Sequence, residues 1–307
     1  MSPEQVENDP VAGWRKRPVS ALSDSAFHAM TVDVEDYFQV ESFFRHVPRA
    51  EWGSRECRIE RNVDRILQLF SDSGTKGTFF TLGWIARRYP QVVKRIVDGD
   101  HELASHGMDH ARADHQSRPI FLDDVRRSKE LLENLGGVAV RGYRATSFSI
   151  TRKNLWALNA LEEAGYQYSS STFPIHHDLY GIPEQPRFAF YPFEDSNFIE
   201  IPVTTMRRWG INWPSGGGGY FRLLPYALSK RNLRSVVEKE RQRCTFYFHP
   251  WEIDPDQPRI KGTSLKTQFR HYLNLERTYD RLTRLLRDFR WTRIDRIYPV
   301  NRSTPSR

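Results

Sequence analysis

Strand-like and helix-like segments alternate along this chain, and this alternation restricts the fold more than any other feature. Helical periodicity at Val63, Ile66 and Phe70, for example, is followed by a short apolar run over 77–82. Parallel strands joined by crossover helices produce this order. About seven or eight such units in one chain favour an α/β barrel over an open sheet. The predicted strands are 27–34, 77–82, 102–105, 139–144, 166–169, 198–203 and 244–249, and the predicted helices are about 60–70, 84–98, 120–135, 151–164 and 225–241.

The segments on either side of this barrel have a different character. Residues 1–26 are polar and contain proline, so we expect a flexible leader there. The predicted barrel covers 27–255, and 256–307 is predicted to be a C-terminal helical extension packed on it. Its helix, over 266–289, is indicated by an apolar stripe at helical spacing. The stripe consists of Tyr272, Leu275, Tyr279, Leu282, Leu286 and Phe289.

Membrane and disulfide signals are weak in this sequence. No apolar run approaches the ~20 residues that cross a bilayer, and the first residues have no apolar signal-peptide core. Cys57 and Cys244 are isolated thiols without the spacing of a metal site, so no disulfide scaffold is expected. These features together predict a cytoplasmic protein.

The charge balance is basic, with 46 Lys and Arg against 38 Asp and Glu, a net charge of +8. Many of the arginines fall at helical spacing in the C-terminal region, which is typical of a solvated helix face. We expect no nucleic-acid partner, because no nucleic-acid motif accompanies the charge. The Arg-rich helix is a candidate for peripheral contact with anionic lipid at the cytoplasmic face of the inner membrane.

The first predicted strand ends in a cluster of carboxylates. Asp33, Glu35 and Asp36 follow one another so closely that mutual repulsion disfavours them unless a cation or hydrogen-bond donors compensate. A loop of solvated acids is the alternative. Because α/β barrels place their active sites at the carboxyl ends of the strands, the cluster lies where chemistry is expected.

The third predicted strand ends in a histidine pair, His106 and His110. The spacing predicts two imidazoles one helical turn apart on one face, suitable for two metal ligands. An accidental surface pair is the alternative. Glu102 and Asp109 are candidates for orienting the two rings. His101 and His115 lie off this register and are interpreted as structural.

Two further strand ends complete a possible reaction centre. Arg144 could pair with a carboxylate, and His249 stands directly before Pro250 and Trp251. A metal held by one carboxylate and two histidines polarises a carbonyl and its water. A free aspartate then takes the water's proton, and the distant histidine protonates the leaving amine. The constellation predicts metal-assisted amide hydrolysis.

The order of these motifs resembles the polysaccharide deacetylase family, the NodB homology domain of carbohydrate esterase family four. The resemblance covers about residues 28–255 and implies a distorted (β/α) barrel that removes N-acetyl groups with zinc, cobalt or a similar divalent ion. FFTLGW (79–84), GGGGYFRLLP (216–225) and FHPWEID (248–254) resemble the subfamily found beside PEP-CTERM/exosortase and exopolysaccharide loci. The matching motifs are TVDVEDYF (31–38), SHGMDH (105–110), RGYRATSF (141–148), SSSTFP (169–174) and FYFHP (246–250).

The resemblance also implies a role for each matching residue. Asp33 corresponds to the general base and Arg144 to the residue that positions it, while His249 corresponds to the catalytic acid. His106 and His110 correspond to metal ligands. Because Val34 stands where the family has a second aspartate, the third ligand must be Asp36 or Glu35, and Asp36 is favoured. Zinc is the preferred ion. Tyr37, Trp84 and Trp251 are the candidates for stacking on sugar rings.

Two departures bear on activity. Ala145 and Thr146 follow Arg144 where the family usually has proline, and Ser169 stands where the subfamily often has an aspartate that could tune His249. The leading hypothesis is a metal-dependent N-deacetylase of a bacterial exopolysaccharide or its lipid-linked precursor. The alternatives are a hydrolase of small cyclic amides or ureides on the same fold and a catalytically inactive carbohydrate-binding homologue.

Overall fold

The computed structural model describes residues 17–19, 27–177, 180–298 and 300. The fold is mixed α/β, with helices around one large sheet. The strands are β1 (Arg17–Pro18), β2 (Phe27–Val34), β3 (Thr78–Thr81), β4 (Glu102–Ser105), β5 (Gly142–Tyr143), β6 (Tyr168–Ser169), β7 (Phe190–Tyr191), β8 (Ile199–Glu200), β9 (Thr205–Arg208), β10 (Ile211–Pro214), β11 (Thr245–Phe248) and β12 (Arg290–Thr292). The α-helices are α1 (Ile59–Asp72), α2 (Gly83–Arg88), α3 (Pro90–Asp98), α4 (Arg118–Gly136), α5 (Trp156–Glu163), α6 (Gly218–Leu223), α7 (Tyr226–Arg234), α8 (Leu265–Tyr272) and α9 (Leu275–Asp288).

The central layer is a parallel sheet in the order β11-β2-β3-β4-β5-β6-β8. Strand β2 lies between β11 and β3 and is buried along almost its whole length, as expected for an apolar run covered on both faces. The predicted strands 27–34 and 102–105 are confirmed at their bounds. Because all these strands run in one direction, their carboxyl ends lie at one edge.

The two end strands of this parallel sheet are β11 and β8. A few backbone hydrogen bonds, instead of a regular ladder, join β11 to the residues that follow β8. The Thr204 N–H donates to the Thr245 carbonyl at 3.2 Å, and the Tyr247 N–H donates to the Gly216 carbonyl at 2.8 Å. Gly217 has φ +118°, and a Cβ there would lie 1.9 Å from the Tyr247 carbonyl oxygen, so only glycine fits this close approach. The expected α/β class is confirmed, with the distortion at this seam.

Two predicted helices are broken in the structure. The segment predicted as 84–98 divides into α2 and α3 because Pro90 cannot continue the first helix and begins the second. The segment predicted as 266–289 divides into α8 and α9 at Asn274, which has a left-handed φ of 54°. The apolar faces of α1 and α9 pack on the same core as β2, β3 and β11.

The terminal segments contribute strands to the sheet. Arg17–Pro18, inside the predicted leader, pairs antiparallel with β7, whereas 1–16 and 20–26 lie outside the described residues. Strand β12 of the predicted C-terminal extension pairs in parallel with residues 27–29 of β2. Among the described residues, no helix is long and apolar enough to span a membrane.

Candidate active site

A cavity of about 450 Å³ opens at the carboxyl edge of the sheet. Strand β2 and the residues after it supply Asp33 and Glu35, the loop after β4 supplies His106 and His110, and the residue after β11 is His249. All five side chains line the cavity. The strand ends therefore bring together the residues whose separate motifs predicted one centre.

Glu35, His106 and His110 form the one group of metal-ligand type among the described residues. One ligand atom from each lies within 4.8 Å of the others, and all three side chains are buried. Nδ1 of His106 lies 2.8 Å from the Arg144 carbonyl oxygen. That hydrogen bond places the ring proton on Nδ1 and leaves the lone pair on Nε2. Burial lowers the pKa of His106 to about 4, so its ring is neutral at neutral pH, as a ligand requires.

The donor set fits a divalent cation. Oε2 of Glu35 is buried and lies 2.5 Å from Nε2 of His110, so a carboxylate and an imidazole nitrogen converge here. Burial favours the neutral carboxyl, but the imidazoles of His110 and His249 outweigh it and lower the pKa of Glu35 to about 2. Two imidazoles and one carboxylate are ligands typical of zinc. A cation here would be bound by this carboxylate and the two imidazoles.

The preference for Asp36 as third ligand is wrong in this geometry. Its Oδ1 accepts from the Tyr37 N–H at 2.8 Å and its Oδ2 from the Arg58 N–H at 2.5 Å, at the start of α1. Burial raises its pKa to about 6. Glu35 lines the cavity together with Asp33, whereas the carboxylate of Asp36 is occupied by the backbone at the start of α1.

Asp33 is held by Arg144, as the resemblance implies. Nη1 of Arg144 donates to Asp33 Oδ1 at 2.7 Å, and both side chains are buried. The guanidinium also donates to the hydroxyl of Thr31 and to both the carbonyl and the hydroxyl of Ser170, and it lies 4.2 Å from the centre of the Phe80 ring. These contacts engage all three nitrogens of the guanidinium and hold Arg144 in place. Arg144 in turn fixes the orientation of Asp33.

His249 is paired with a carboxylate that the motif comparison did not identify. Nδ1 of His249 lies 2.7 Å from Glu252 Oε1, and Glu252 Oε2 accepts from Nε of the buried Arg222 at 2.6 Å. Burial by itself would lower the pKa of His249, but Glu35 and Glu252 outweigh it and raise the pKa to about 9. The spacing of Glu252 three residues after His249 was visible in the sequence, whereas Arg222 carried no local signal.

Ser169 therefore does not leave His249 without a carboxylate neighbour, because Glu252 takes that place. Ser169 itself donates to the hydroxyl of Ser171. Thr146 donates to the Ala111 carbonyl at 3.1 Å, which joins the motif after Arg144 to the histidine loop. Both departures from the family pattern are accommodated by local hydrogen bonds.

Of the three aromatic residues predicted to bind sugar, only Trp251 lines the cavity. Its ring is stacked between His249 and His271, at centroid distances of 5.1 Å and 4.1 Å, and its Nε1 donates to Glu35. Trp251 is almost fully buried, so it positions its neighbours and offers little face to a sugar. The prediction for the other two is wrong, because Tyr37 and Trp84 pack in an apolar cluster beside the site.

The histidine pair lies on a loop, which corrects the expected helical turn. Gly107 and His110 both have left-handed φ values, +77° and +57°. The Met108 N–H donates to the half-buried Asp124, which fixes the loop. The predicted orienting carboxylates lie elsewhere. Glu102 accepts from Thr78 and Tyr168, and Asp109 pairs with Arg49.

Two family models match adjacent parts of the chain. The polysaccharide deacetylase family matches 53–169, and a domain of unknown function, DUF3473, matches 170–299. The chain therefore contains a region that matches the polysaccharide deacetylase family. His106, His110 and Arg144 fall in the first match and His249 in the second, so one site draws on both regions.

Similar curated proteins share only part of their length with this chain. A peptidoglycan-N-acetylglucosamine deacetylase of Bacillus cereus is 29% identical over 30% of this chain and 34% of its own length. A peptidoglycan deacetylase of Helicobacter pylori is 30% identical over 39% of each chain. The chain thus spans less than two fifths of the length of these relatives.

Solved structures resemble this chain over more of its length than the curated relatives do. A candidate polysaccharide deacetylase from Mycobacterium smegmatis has a TM-score of 0.54 and 17% identity, covering 95% of this chain and 100% of its own. The Puue allantoinase has a TM-score of 0.50 and 16% identity, covering 85% and 88%. These likenesses establish the fold, which deacetylases and an allantoinase share.

Proposed function

We propose that this chain is a metal-dependent hydrolase that removes N-acetyl groups from the amino sugars of a bacterial exopolysaccharide or its lipid-linked precursor. The observation that carries the proposal is the arrangement inside one cavity of a ligand group, an oriented aspartate and a carboxylate-paired histidine. Each of the three parts has a distinct task in amide hydrolysis.

Glu35, His106 and His110 would hold the ion, with zinc preferred and cobalt an alternative. Bound there, it would polarise the acetyl carbonyl and acidify a water molecule. Nε2 of His106 is available because Nδ1 is engaged by a backbone carbonyl. Nε1 of Trp251 keeps Glu35 in place through its 3.3 Å hydrogen bond.

Asp33 and His249 act on opposite ends of the same amide bond. Asp33 takes a proton from the attacking water as its oxygen adds to the acetyl carbon. His249 Nε2 then gives a proton to the amine nitrogen as the C–N bond breaks, and acetate and the free amine leave. Arg144 holds Asp33 in its orientation through the 2.7 Å ion pair, and Glu252 keeps His249 protonated.

The names of the matched relatives support an amino-sugar polymer as substrate. Because the fold is shared with an allantoinase, a small cyclic amide is the rival substrate. An inactive carbohydrate-binding homologue is disfavoured, since base, acid and ligand group are all present in one cavity.

Acetate release from an N-acetylated chitooligosaccharide tests the proposal. We expect activity that a chelator abolishes and that zinc or cobalt restores, with allantoin left unhydrolysed. Asp33→Asn should retain the metal and lose turnover, and His106→Ala should lose both. Chelator-resistant activity would contradict the metal mechanism, and glycan binding without acetate release at any added metal would favour the inactive homologue.

We also propose that the substrate is met at the cytoplasmic face of the inner membrane. Cys57 and Cys244 are not joined in a disulfide, which suits a reducing compartment. Fractionation of cells producing the full chain, with periplasmic and cytoplasmic marker enzymes, tests this location, and recovery with the periplasmic marker would refute it.

A further inference from the structure

Large apolar side chains are exposed at the mouth of the cleft. Leu223 at the end of α6 is 49% exposed, and on α8 Leu265 is 84% and Phe269 is 58% exposed. Lys266 and Arg270, also exposed, follow the two apolar residues of α8 by one position each. We call these five residues the cleft lip. Leu223, Phe269, Lys266 and Arg270 line the cavity itself.

The cleft lip is fixed to the catalytic centre by one buried guanidinium. Arg222 donates to the carbonyls of Arg270, His271 and Leu273 at the end of α8, at 3.0, 2.7 and 3.0 Å. The same side chain binds Glu252, the partner of His249. Because Arg222 also belongs to α6, it holds both helices of the lip in one orientation toward the site.

The pattern on α8 is that of a helix lying in a membrane interface. Leu265 and Phe269 are four residues apart, as are Lys266 and Arg270, so an apolar row runs beside a cationic row. Exposed apolar side chains that are grouped and bordered by cations mark an interaction surface. Two of the three apolar members are leucines, which suit acyl chains and do not offer an aromatic face for a sugar.

A segment packed on α8 adds one more exposed apolar side chain. Phe43 packs against His271 and Tyr272 of the α8 segment, and its neighbour Phe44 is 61% exposed. Glu41, earlier in the same segment, is acidic and lines the cavity. Lys261, before α8, is a further exposed cation.

The lip occupies only the first part of the Arg-rich helix that the sequence nominated for lipid contact. That helix divides into α8 and α9, and in α9 Arg281 donates to the carbonyls of Phe221, Arg222 and Leu224 inside the protein. This arginine is used in packing α9 on α6. The structure therefore narrows the candidate surface to α8, where cations and apolar side chains occur together.

We propose that the cleft lip docks on an anionic lipid bilayer, with Leu223, Leu265 and Phe269 entering the headgroup region. Lys266 and Arg270 would meet acidic headgroups. Docking in this orientation turns the mouth of the active-site cleft toward the lipid surface, where a glycan carried on a lipid could enter. That last consequence rests on the proposed function, whereas the docking itself does not.

Sedimentation of the full chain with vesicles tests the docking directly. The probes are vesicles of phosphatidylcholine alone and vesicles with phosphatidylglycerol added. We expect binding to the second kind only, reduced at high salt. Lys266→Glu with Arg270→Glu should lower the partition coefficient by at least ~25-fold, since each basic residue at an anionic surface contributes a factor of about 5. Leu265→Ser with Phe269→Ser should also abolish binding.

The matched control is Trp209→Ser with Ile211→Ser on the β9–β10 hairpin, where both side chains are exposed but lie outside the cleft lining. It should bind like the wild type. An unchanged thermal melting curve for each variant shows that the fold is kept.

Equal binding of wild type and lip variants, no binding by the wild type, or loss of binding only in the hairpin variant would each overturn the proposal. Lip-dependent binding to a soluble anionic polysaccharide such as polygalacturonate, without vesicle binding, would overturn it in favour of a glycan site. Asp33→Asn should lose turnover yet still bind vesicles, which separates this test from that of the proposed function.

Discussion

Replacing Glu252 by glutamine tests how the proposed catalytic acid is maintained. Glu252 is buried, with one oxygen 2.7 Å from Nδ1 of His249 and the other 2.6 Å from Nε of Arg222. Glutamine keeps the size of the side chain and removes the charge. His249 then loses a neighbour that raises its pKa, and the guanidinium of Arg222 is left in the interior without its carboxylate.

Both losses can be assigned a magnitude. Breaking a buried ion pair by removing one charge costs about 3–5 kcal/mol, and the glutamine oxygen can still accept one hydrogen bond. The expected decrease in the free energy of unfolding is therefore about 3 kcal/mol. A general acid contributes roughly 10²–10⁴ to the rate, so kcat should fall by at least ~100-fold if His249 depends on Glu252.

The assay combines urea unfolding with acetate release from a chitooligosaccharide by zinc-loaded protein. Glu276→Gln is the matched control, because Glu276 is 62% exposed and lies 3.6 Å from Arg277 at the surface. It should change neither stability nor kcat appreciably. Glu252→Asp, which keeps the charge but shortens the reach, should have intermediate kcat. A folded Glu252→Gln protein with unchanged kcat would refute the role of the pair.

Two other substitutions probe the site and the core. Arg144→Lys should lower kcat at least ~10-fold and the free energy of unfolding by about 2 kcal/mol, since one ammonium cannot bind both Asp33 and Ser170. Steady-state kinetics and urea unfolding measure the two effects, and retained activity would contradict the expectation. His101 is buried, which lowers its pKa to about 4, so its neutral form stabilises the fold above pH 6.5 and that contribution is lost as the pH falls toward 4. The stability difference between wild type and His101→Gln should therefore shrink by about 3 kcal/mol from pH 7 to pH 4, and a constant difference would contradict the assignment.

The sequence was most informative where local pattern and burial coincide. Strand β2 was predicted at its bounds because FHAMTVDV is an apolar run that ends abruptly in acids. Short strands such as β5 were predicted too long, since 139–144 has the composition of a strand but only Gly142–Tyr143 pair with neighbours. Helix breaks at Pro90 and Asn274 depended on single residues within otherwise periodic segments.

At the candidate site, residue types were predictable and their exact partners less so. Asp33, His106, His110, Arg144 and His249 all meet where their motifs indicated. The choice between Glu35 and Asp36 depends on backbone contacts after β2, since the N–H groups of Tyr37 and Arg58 engage Asp36.

Contacts between distant segments were harder to predict. The pairing of Arg222 with Glu252 joins α6 to the turn after β11, and no local sequence pattern predicts such a contact. Tyr37 and Trp84 were assigned to the substrate because aromatic type alone does not distinguish a cleft wall from an apolar cluster.

The zinc content of two neighbouring variants tests the central claim, that Glu35 with His106 and His110 forms the metal centre. Zinc would be titrated into metal-free protein, with circular dichroism to verify the fold. Glu35→Gln should bind zinc at least ~10-fold more weakly than wild type, because a ligand is lost and two histidines remain. Asp36→Asn should bind zinc like the wild type, since its oxygens face the start of α1. Loss of zinc in Asp36→Asn with normal affinity in Glu35→Gln would contradict the account.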